Sequence, residues 1–185
     1  MDSWIWLPVL LHLGIIDSEG LVGFPPGETG EGLRYRIVNH AEVKHFLVAP
    51  AEESYKDKPI YLTQKDVREV QLATGAIAAG VQTLMDEMGI GIEDIHRIYL
   101  AGALGNYINP LSAMRVGLIS RTNPRIVTSL GNAASTGASM VLLSKHYWER
   151  LDELADFVEH IEISCRLDFN QYFVECMDFP PGNLW

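Results

Sequence analysis

Apolar residues recur along this chain at two spacings, which divide it into helical and extended segments. A spacing of about 3.6 residues predicts amphipathic helices, and strict alternation predicts half-buried strands. Helices are predicted over residues 4–16, 64–88, 110–116, 147–158 and 169–177, with a further helix that opens within 131–138 and ends near 145. Asn109 is the predicted N-cap of the helix over 110–116, and Asp168 is the predicted N-cap of the last helix. Strands are predicted over residues 33–37, 44–48, 59–62, 98–101, 126–130 and 160–164. This order predicts an α/β fold in which most neighbouring strands are parallel.

The first helix begins close to the start of the chain and is strongly apolar. Ile5, Val9, His12 and Ile16 fall near one face, with Leu10 and Leu13 beside them, so we expect that face to be buried. The stretch is too short to cross a bilayer, which takes about 20 residues, and Asp2 stands where a signal peptide has a basic residue. We therefore expect a core helix, no role at a membrane and a cytoplasmic protein.

The helix over 64–88 has the clearest boundaries. Thr63 is a good N-cap, Asp66 resembles the second half of a capping box, and Gly89 follows the last turn. The middle of the helix, residues 75–80, is made of small residues with two glycines, each of which costs about 1 kcal/mol compared with alanine. This cost indicates that another helix or a ligand packs very close there. The apolar stripe expected to face the core consists of Val70, Ile77, Val81, Leu84 and Met88.

Two predicted strands run into glycine-containing turns that open helices. The first turn contains Gly102 and Gly105, and the second lies within residues 131–138. Glycine allows a positive φ and a close approach of the backbone to a ligand, and ligands bind at the carboxyl ends of parallel strands. Each turn therefore either contacts a nucleoside or phosphate or is purely structural. In the structural case the second turn would pack helices through Gly137 and Ala138.

Polar side chains on the first turn of the long helix are further candidates. Gln64, Lys65 and Arg68 could reach an adenine or a ribose, or they could form a solvated helix face. Asp66 and Glu69 are interpreted as a cap and a surface charge. No Ser-His-Asp or Cys-His set can be assembled from the spacing, so we predict no catalytic residue in this chain.

Charge and cysteine content narrow the classes of function. The chain has 185 residues and a formal net charge of -10, which argues against nucleic acid, whose binding needs clustered lysine and arginine. A nucleotide could still bind, since backbone N–H groups can hold phosphates without many cations. Cys165 and Cys176 form no cluster-binding motif, and nothing near His40 and His45 completes a metal site. We therefore predict no metal and no iron–sulfur cluster in this chain.

Several segments together resemble one known family. They are residues 63–73 (TQKDVREVQLA), 98–107 (IYLAGALGNY) and 131–134 (GNAA), and the later segments 161–164, 168–169 and 179–180 fit the end of the same domain. Taken in this order they resemble the C-terminal ATPase domain of reductive activators of corrinoid proteins. That domain belongs to the acetate and sugar kinase, heat-shock chaperone and actin superfamily.

The resemblance implies an α/β ribonuclease-H-like (actin-like ATPase) lobe, with a mixed sheet flanked by helices, that binds ATP in a cleft. Residues 102–106 resemble the adenosine motif of the superfamily, and residues 131–138 resemble its second connecting motif, which packs helices near a hinge. The family couples ATP hydrolysis to one-electron reduction of a corrinoid cobalt, with electrons from an N-terminal iron–sulfur domain. This chain lacks the cluster-binding cysteines and the Asp-x-Gly phosphate hairpin, so we expect the C-terminal portion of a longer activator, inactive by itself.

The residues and the resemblance together predict the domain plan, the ligands and the partners. We expect residues 1–60 to form a helix, a loop and a β-hairpin that are continuous with a nucleotide-binding lobe over 61–185. ATP, with Mg in the full-length parent, is the expected cofactor. The expected partners are a corrinoid protein of a methyltransferase system and a second copy in a homodimer. The alternative is a non-catalytic interaction or dimerisation module with a vestigial nucleotide site. The residues expected to contact the nucleotide are Gly102, Ala103, Leu104, Gly105, Asn106, Gln64, Lys65, Arg68, Gly131 and Asn132.

Overall fold

The computed structural model describes residues 3–23, 32–40, 42–55, 57–102 and 108–181, with the side chains of residues 3–5 and 152 excepted. The α-helices are α1 (Ser3–His12), α2 (Gln64–Met88), α3 (Pro110–Arg115), α4 (Ala133–Leu143), α5 (Lys145–Phe157) and α6 (Leu167–Glu175). The strands are β1 (Ile37–His40), β2 (Val43–Ala49), β3 (Ile60–Leu62), β4 (Ile98–Ala101) and β5 (Val127–Gly131). None of the described helices is long and apolar enough to cross a membrane.

The described strands form two small sheets, so the sheet structure is mixed. β1, β2 and β3 are antiparallel neighbours, while β4 and β5 pair in parallel. The expectation of mostly parallel strands is therefore wrong, although the predicted β1–β2 hairpin is confirmed. β1 begins only at Ile37, because Arg34–Arg36 forms a 3₁₀ turn. That turn brings Leu33 and Ile37, four residues apart, to the same core and leaves Tyr35 exposed.

The main core joins both ends of the chain to the antiparallel sheet. Leu7 and Leu10 of α1 are buried, whereas Val9 and His12 are exposed, so the predicted inner face of this helix is right at Leu10 and wrong at Val9 and His12. The helix stops at His12, and a turn at Gly14 with φ 66° sends the chain back so that Ile15 and Ile16 also enter the core. The buried members of this core are Leu7, Leu10, Ile15, Ile16, Val22, Phe46, Leu62, Val67, Val70, Val116 and Phe179.

α2 has the boundaries that its caps predicted. The Thr63 hydroxyl oxygen accepts from the Asp66 amide, the Asp66 carboxylate accepts from the Thr63 amide, and Gly89 ends the helix with φ 63°. The predicted apolar stripe is largely wrong, because Ile77 and Val81 are 50% and 43% exposed. The buried face is instead Val67, Val70, Gln71, Thr74, Gly75, Ala79, Thr83 and Met85.

The small middle of α2 lies against α6, which confirms another helix as the close neighbour. A Cβ on Gly75 would lie 3.2 Å from the backbone oxygen of Cys176, just after α6 ends. Two polar contacts tie the same helices together near the carboxyl end of α2: Arg166 donates to Glu87 at 2.7 Å, and the Tyr172 hydroxyl donates to Asp86. The close packing explains why glycine is tolerated inside this helix.

Residues 160–164, predicted as a strand, are irregular in the structure. The Glu162 carboxylate accepts from both the amide and the hydroxyl of Ser164, which forms a local turn instead of a strand pairing. Asp168 lies inside the first turn of α6, where it accepts from Arg166, and does not cap the helix as predicted. By contrast, the predicted cap of α3 is confirmed, since the Asn109 side chain accepts from the Leu111 amide at 2.9 Å.

Candidate functional site

The two glycine turns lie side by side at the carboxyl ends of β4 and β5. The strands pair in parallel from Ile98–Val127 to Ala101–Gly131, with one irregularity because β5 contains an extra residue before Gly131. Beyond the last pair, the Gly102 amide donates to the Gly131 oxygen at 2.7 Å. The sequence predicted this placement, since parallel neighbours end at the same edge of a sheet.

Both glycines adopt backbone conformations that side chains disfavour. Gly102 has φ 100° and Gly131 has φ 65°. A Cβ built on Gly102 meets no described heavy atom within 4 Å. The glycine is therefore required by its backbone conformation, and no neighbour among the described residues adds to that requirement. Within the described part of the chain, nothing prevents a ligand from approaching the backbone there.

Asn132 connects the second turn to α4. Its side-chain oxygen accepts from the Ser135 amide at 3.1 Å, and the Thr136 hydroxyl donates to its backbone oxygen. This cap fixes the direction of α4, whose first amides lie close to the paired strand ends because the helix starts at Ala133, two residues after Gly131. Such amides favour negative charge.

Tight helix packing does not account for the glycine in α4. A Cβ on Gly137 meets no described heavy atom within 4 Å, and Ala138 is exposed. No residue of α4 is buried among those described. The described part of the chain therefore contains no helix that packs against Gly137 and Ala138. Such packing was the structural interpretation of this segment, and the resemblance also implied it.

The other predicted contact residues divide into two sets. Ala103, Leu104, Gly105 and Asn106 lie outside the described residues. Gln64, Lys65 and Arg68 line a separate recess beside β1 and β2, which none of the described glycine-turn residues lines.

Gln64 has a structural task within that recess. Its amide nitrogen donates to the Gly20 oxygen, and its side-chain oxygen accepts from the Val22 amide at 3.3 Å. Gln71, two turns further along α2, donates to the Glu19 oxygen at 3.2 Å. The two glutamines hold the segment around residue 20 on α2, so the Gln64 side chain is occupied by protein contacts.

A larger apolar groove lies between α2 and β4 and was not predicted as a site. Its volume is about 550 Å³, and it runs beside β4 as far as Ala101. Ile77, Val81 and Met85 line it from α2. Two members of the stripe that the sequence assigned to the core, Ile77 and Val81, thus line an open groove.

Comparisons with known proteins agree with this architecture. Residues 9–184 match the family described as the C-terminal domain of RACo, the ASKHA domain. The chain is 39% identical over 127 residues to the corrinoid activation enzyme RamQ of Eubacterium limosum, covering 69% of this chain and 21% of that protein. It is 32% identical over 117 residues to the [Co(II) methylated amine-specific corrinoid protein] reductase of Methanosarcina barkeri, covering 62% of this chain and 22% of that protein.

A solved structure gives the same result. The reductive activator for corrinoid, iron-sulfur protein superposes with a TM-score of 0.84 at 29% identity, covering 96% of this chain and 27% of the other. The chain thus spans about a fifth of the curated relatives it matches. The mixed α/β architecture is that of an actin-like ATPase domain, and the chain belongs to the family of the C-terminal ASKHA domain of RACo.

Proposed function

We propose that this chain is the nucleotide-binding C-terminal domain of an ATP-dependent reductive activator of corrinoid proteins. The observation that carries the proposal is the family match over residues 9–184 together with the paired glycine turns at one sheet edge. The relatives named above are corrinoid activators and reductases, which supports a corrinoid protein of a methyltransferase system as the partner. We place this activity in the cytoplasm.

The paired strand ends fit a nucleotide better than they fit a purely structural turn. No described residue fills the space beside Gly102, and the Gly131 and Asn132 turn leads directly into the amino end of α4. We propose that the backbone at Gly102 and Gly131 contacts the nucleoside, and that Asn132 keeps the second turn in position. Bound ATP, accompanied by Mg, would supply the phosphoryl chemistry that drives cobalt reduction.

The isolated domain should bind without turning over. Phosphoryl transfer depends on positioning the γ-phosphate, and the sequence contains no Asp-x-Gly hairpin to hold it. Cys165 and Cys176 are both free, so electrons would come from another part of the parent protein. We also propose that residues 1–60 and 61–185 share one lobe, which is supported by the common core of Leu7, Phe46 and Val67.

Two asparagine caps at opposite ends of β5 provide a matched test. Asn132 caps α4 at the carboxyl end, and Asn123 caps the short turn before the strand by accepting from the Arg125 amide at 3.0 Å. Asn132→Ala and Asn123→Ala should each cost about 1 kcal/mol of stability. In calorimetric titration of the full-length parent with ATP, only Asn132→Ala should weaken ATP binding. The same variant should lower the rate of ATP-dependent corrinoid reduction at limiting ATP by the same factor. Unchanged ATP affinity in both variants would place the nucleotide elsewhere.

A second candidate function is an interaction or dimerisation module. The observation that favours it is the apolar surface of α4 and α5, where Leu143 and Phe157 are 87% and 88% exposed. We propose that this surface joins two copies in a homodimer. Sedimentation velocity should then show a dimer that Leu143→Glu dissociates, and a monomer at all concentrations would contradict the module.

A further inference from the structure

A second recess lies between the outer face of the antiparallel sheet and the first turn of α2. It measures about 500 Å³ and is open to solvent. The hairpin register places His40 opposite Val43 and His45 opposite Val38, so both imidazoles project from one face of the sheet. The residues that line the recess are His40, Val43, His45, Thr63, Gln64, Lys65 and Arg68.

His45 carries an unexplained polar atom. Its Nδ1 is buried and has no hydrogen-bond partner in the described part of the protein. The ring lies 5.6 Å from that of His40, which itself meets the Tyr61 ring edge-on at 5.6 Å. A buried polar atom without a partner is costly, so a ligand that supplies the partner would be favoured at this position.

Two cationic side chains at the rim, Arg68 and Lys65, keep N–H donors that have no partner in the described part of the protein. Arg68 donates to the Gln71 side-chain oxygen at 3.0 Å, which uses one of its five N–H groups. Lys65 lies 3.7 Å from Glu69, but both side chains are exposed, and such pairs contribute little. Asp66, the nearest other acid on α2, is engaged by the Thr63 amide and hydroxyl. The recess therefore gathers basic groups in a chain whose net charge is -10.

We infer that this recess binds a tetrahedral oxyanion of the phosphate class. Arg68 and Lys65 supply charge-assisted hydrogen bonds, and a His45 imidazole with a proton on Nδ1 donates the third. The amino end of α2 lies beside the recess, since Thr63, Gln64 and Lys65 line it, and its dipole favours an anion there. The ligand is free phosphate or the phosphate group of a nucleotide, and these two sources share the same chemistry. The inference stands independently of the proposed ATP site.

Sulfate is the probe because it is a tetrahedral oxyanion that stays doubly charged near neutral pH. The imidazole resonances of the whole chain should shift saturably with sulfate at constant ionic strength, and chloride should not reproduce the shift. His45→Leu should weaken sulfate binding several-fold, because it removes the Nδ1 donor from the recess.

A matched arginine separates the recess from general surface charge. Arg68→Gln should weaken sulfate binding at least fivefold. Arg150→Gln removes an arginine on α5 that pairs with Glu153 at 3.7 Å, and it should leave sulfate affinity unchanged. Lys65→Gln should also weaken sulfate binding. Because Lys65 is exposed, this variant leaves the hydrogen bond between Arg68 and Gln71 in place. Equal effects of Arg68→Gln and Arg150→Gln, or a shift that does not saturate, would overturn the inference.

The source of the anion is decided by comparing nucleotides with inorganic phosphate in the full-length parent. If the recess takes the phosphate of a nucleotide, Arg68→Gln weakens ADP binding and leaves adenosine binding unchanged. If it takes free phosphate, the variant weakens phosphate binding and leaves ADP binding unchanged. Intact phosphate and ADP binding in the variant would refute both versions, even where Asn132→Ala supports the ATP site.

Discussion

Replacement of Gly102 tests directly whether the first glycine turn is a ligand contact. The residue has φ 100°, and a Cβ there meets no described heavy atom within 4 Å. A side chain therefore costs backbone strain of about 1–3 kcal/mol but collides with none of the described residues. For a domain of this size, each 1 kcal/mol lowers the melting temperature by about 2–4 °C. We expect Gly102→Val to remain folded with a modest loss of stability.

Gly102→Val should weaken ATP binding by more than the backbone strain alone explains. If the nucleoside lies against the Gly102 backbone, the valine side chain occupies its space. ATP affinity of the full-length parent should then fall more than tenfold, a loss of about 1.4 kcal/mol or more. Calorimetric titration of the folded variant measures this loss, and thermal unfolding measures the strain separately.

Gly89 provides a control that also has a positive φ but belongs to neither glycine turn. It has φ 63° at the end of α2, and a Cβ there also meets no described heavy atom within 4 Å. Gly89→Val should lower the melting temperature to a similar degree and leave ATP affinity unchanged. If Gly102→Val and Gly89→Val both retain full affinity, the first turn is structural and the reasoning is refuted.

Three further predictions concern packing, acid stability and turnover. Gly75→Val should destabilise the domain by about 1–3 kcal/mol in denaturant unfolding, because its Cβ would lie 3.2 Å from a backbone oxygen, whereas Gly80→Ala, with 3.9 Å to the nearest side chain, should be neutral or stabilising. Arg166 lowers the pKa of Asp168 from 3.8 to about 2, so this carboxylate stabilises the fold fully above about pH 4 and loses its contribution as the pH falls towards 2. Asp168→Asn should therefore flatten the melting temperature between those values, and an unchanged profile would argue against the contact. The isolated chain should show negligible ATP hydrolysis, and robust turnover lost on mutation within residues 1–185 would contradict the assigned role.

The features that the sequence predicted correctly depend on short-range chemistry. The capping box of Thr63 and Asp66 and the glycine after α2 act within one turn of helix, so their residue types reveal them without knowledge of the rest of the fold. The same holds for the Asn109 cap of α3 and the positive φ of Gly102. Each needs only a few neighbouring residues to be recognised.

The buried face of α2 could not be predicted in this way. Gln71, Thr74 and Thr83 are almost completely buried, yet hydropathy assigns them to the surface. The threonine hydroxyls donate to backbone oxygens one turn earlier in the same helix, and Gln71 reaches Glu19, which is 52 residues away. Their polar groups are hydrogen-bonded through contacts that only the folded chain reveals. Hydropathy alone therefore placed the predicted buried face of α2 largely on residues that are exposed.

The two proposed anion-binding sites, the glycine turns and the recess beside β1 and β2, differ in how easily they can be predicted from the sequence. Glycine turns bind through backbone N–H groups, so a negatively charged chain can hold a nucleotide there without cations, and the glycines themselves mark the place. The recess depends on side chains from β1, β2 and α2, which only the hairpin register brings together. Because salt screens exposed charges over about 8 Å, the overall charge of -10 does not prevent Lys65 and Arg68 from attracting an anion at contact distance. Net charge therefore excludes extended polyanions more effectively than it excludes a single phosphate, and the two sites are compatible with the same acidic chain.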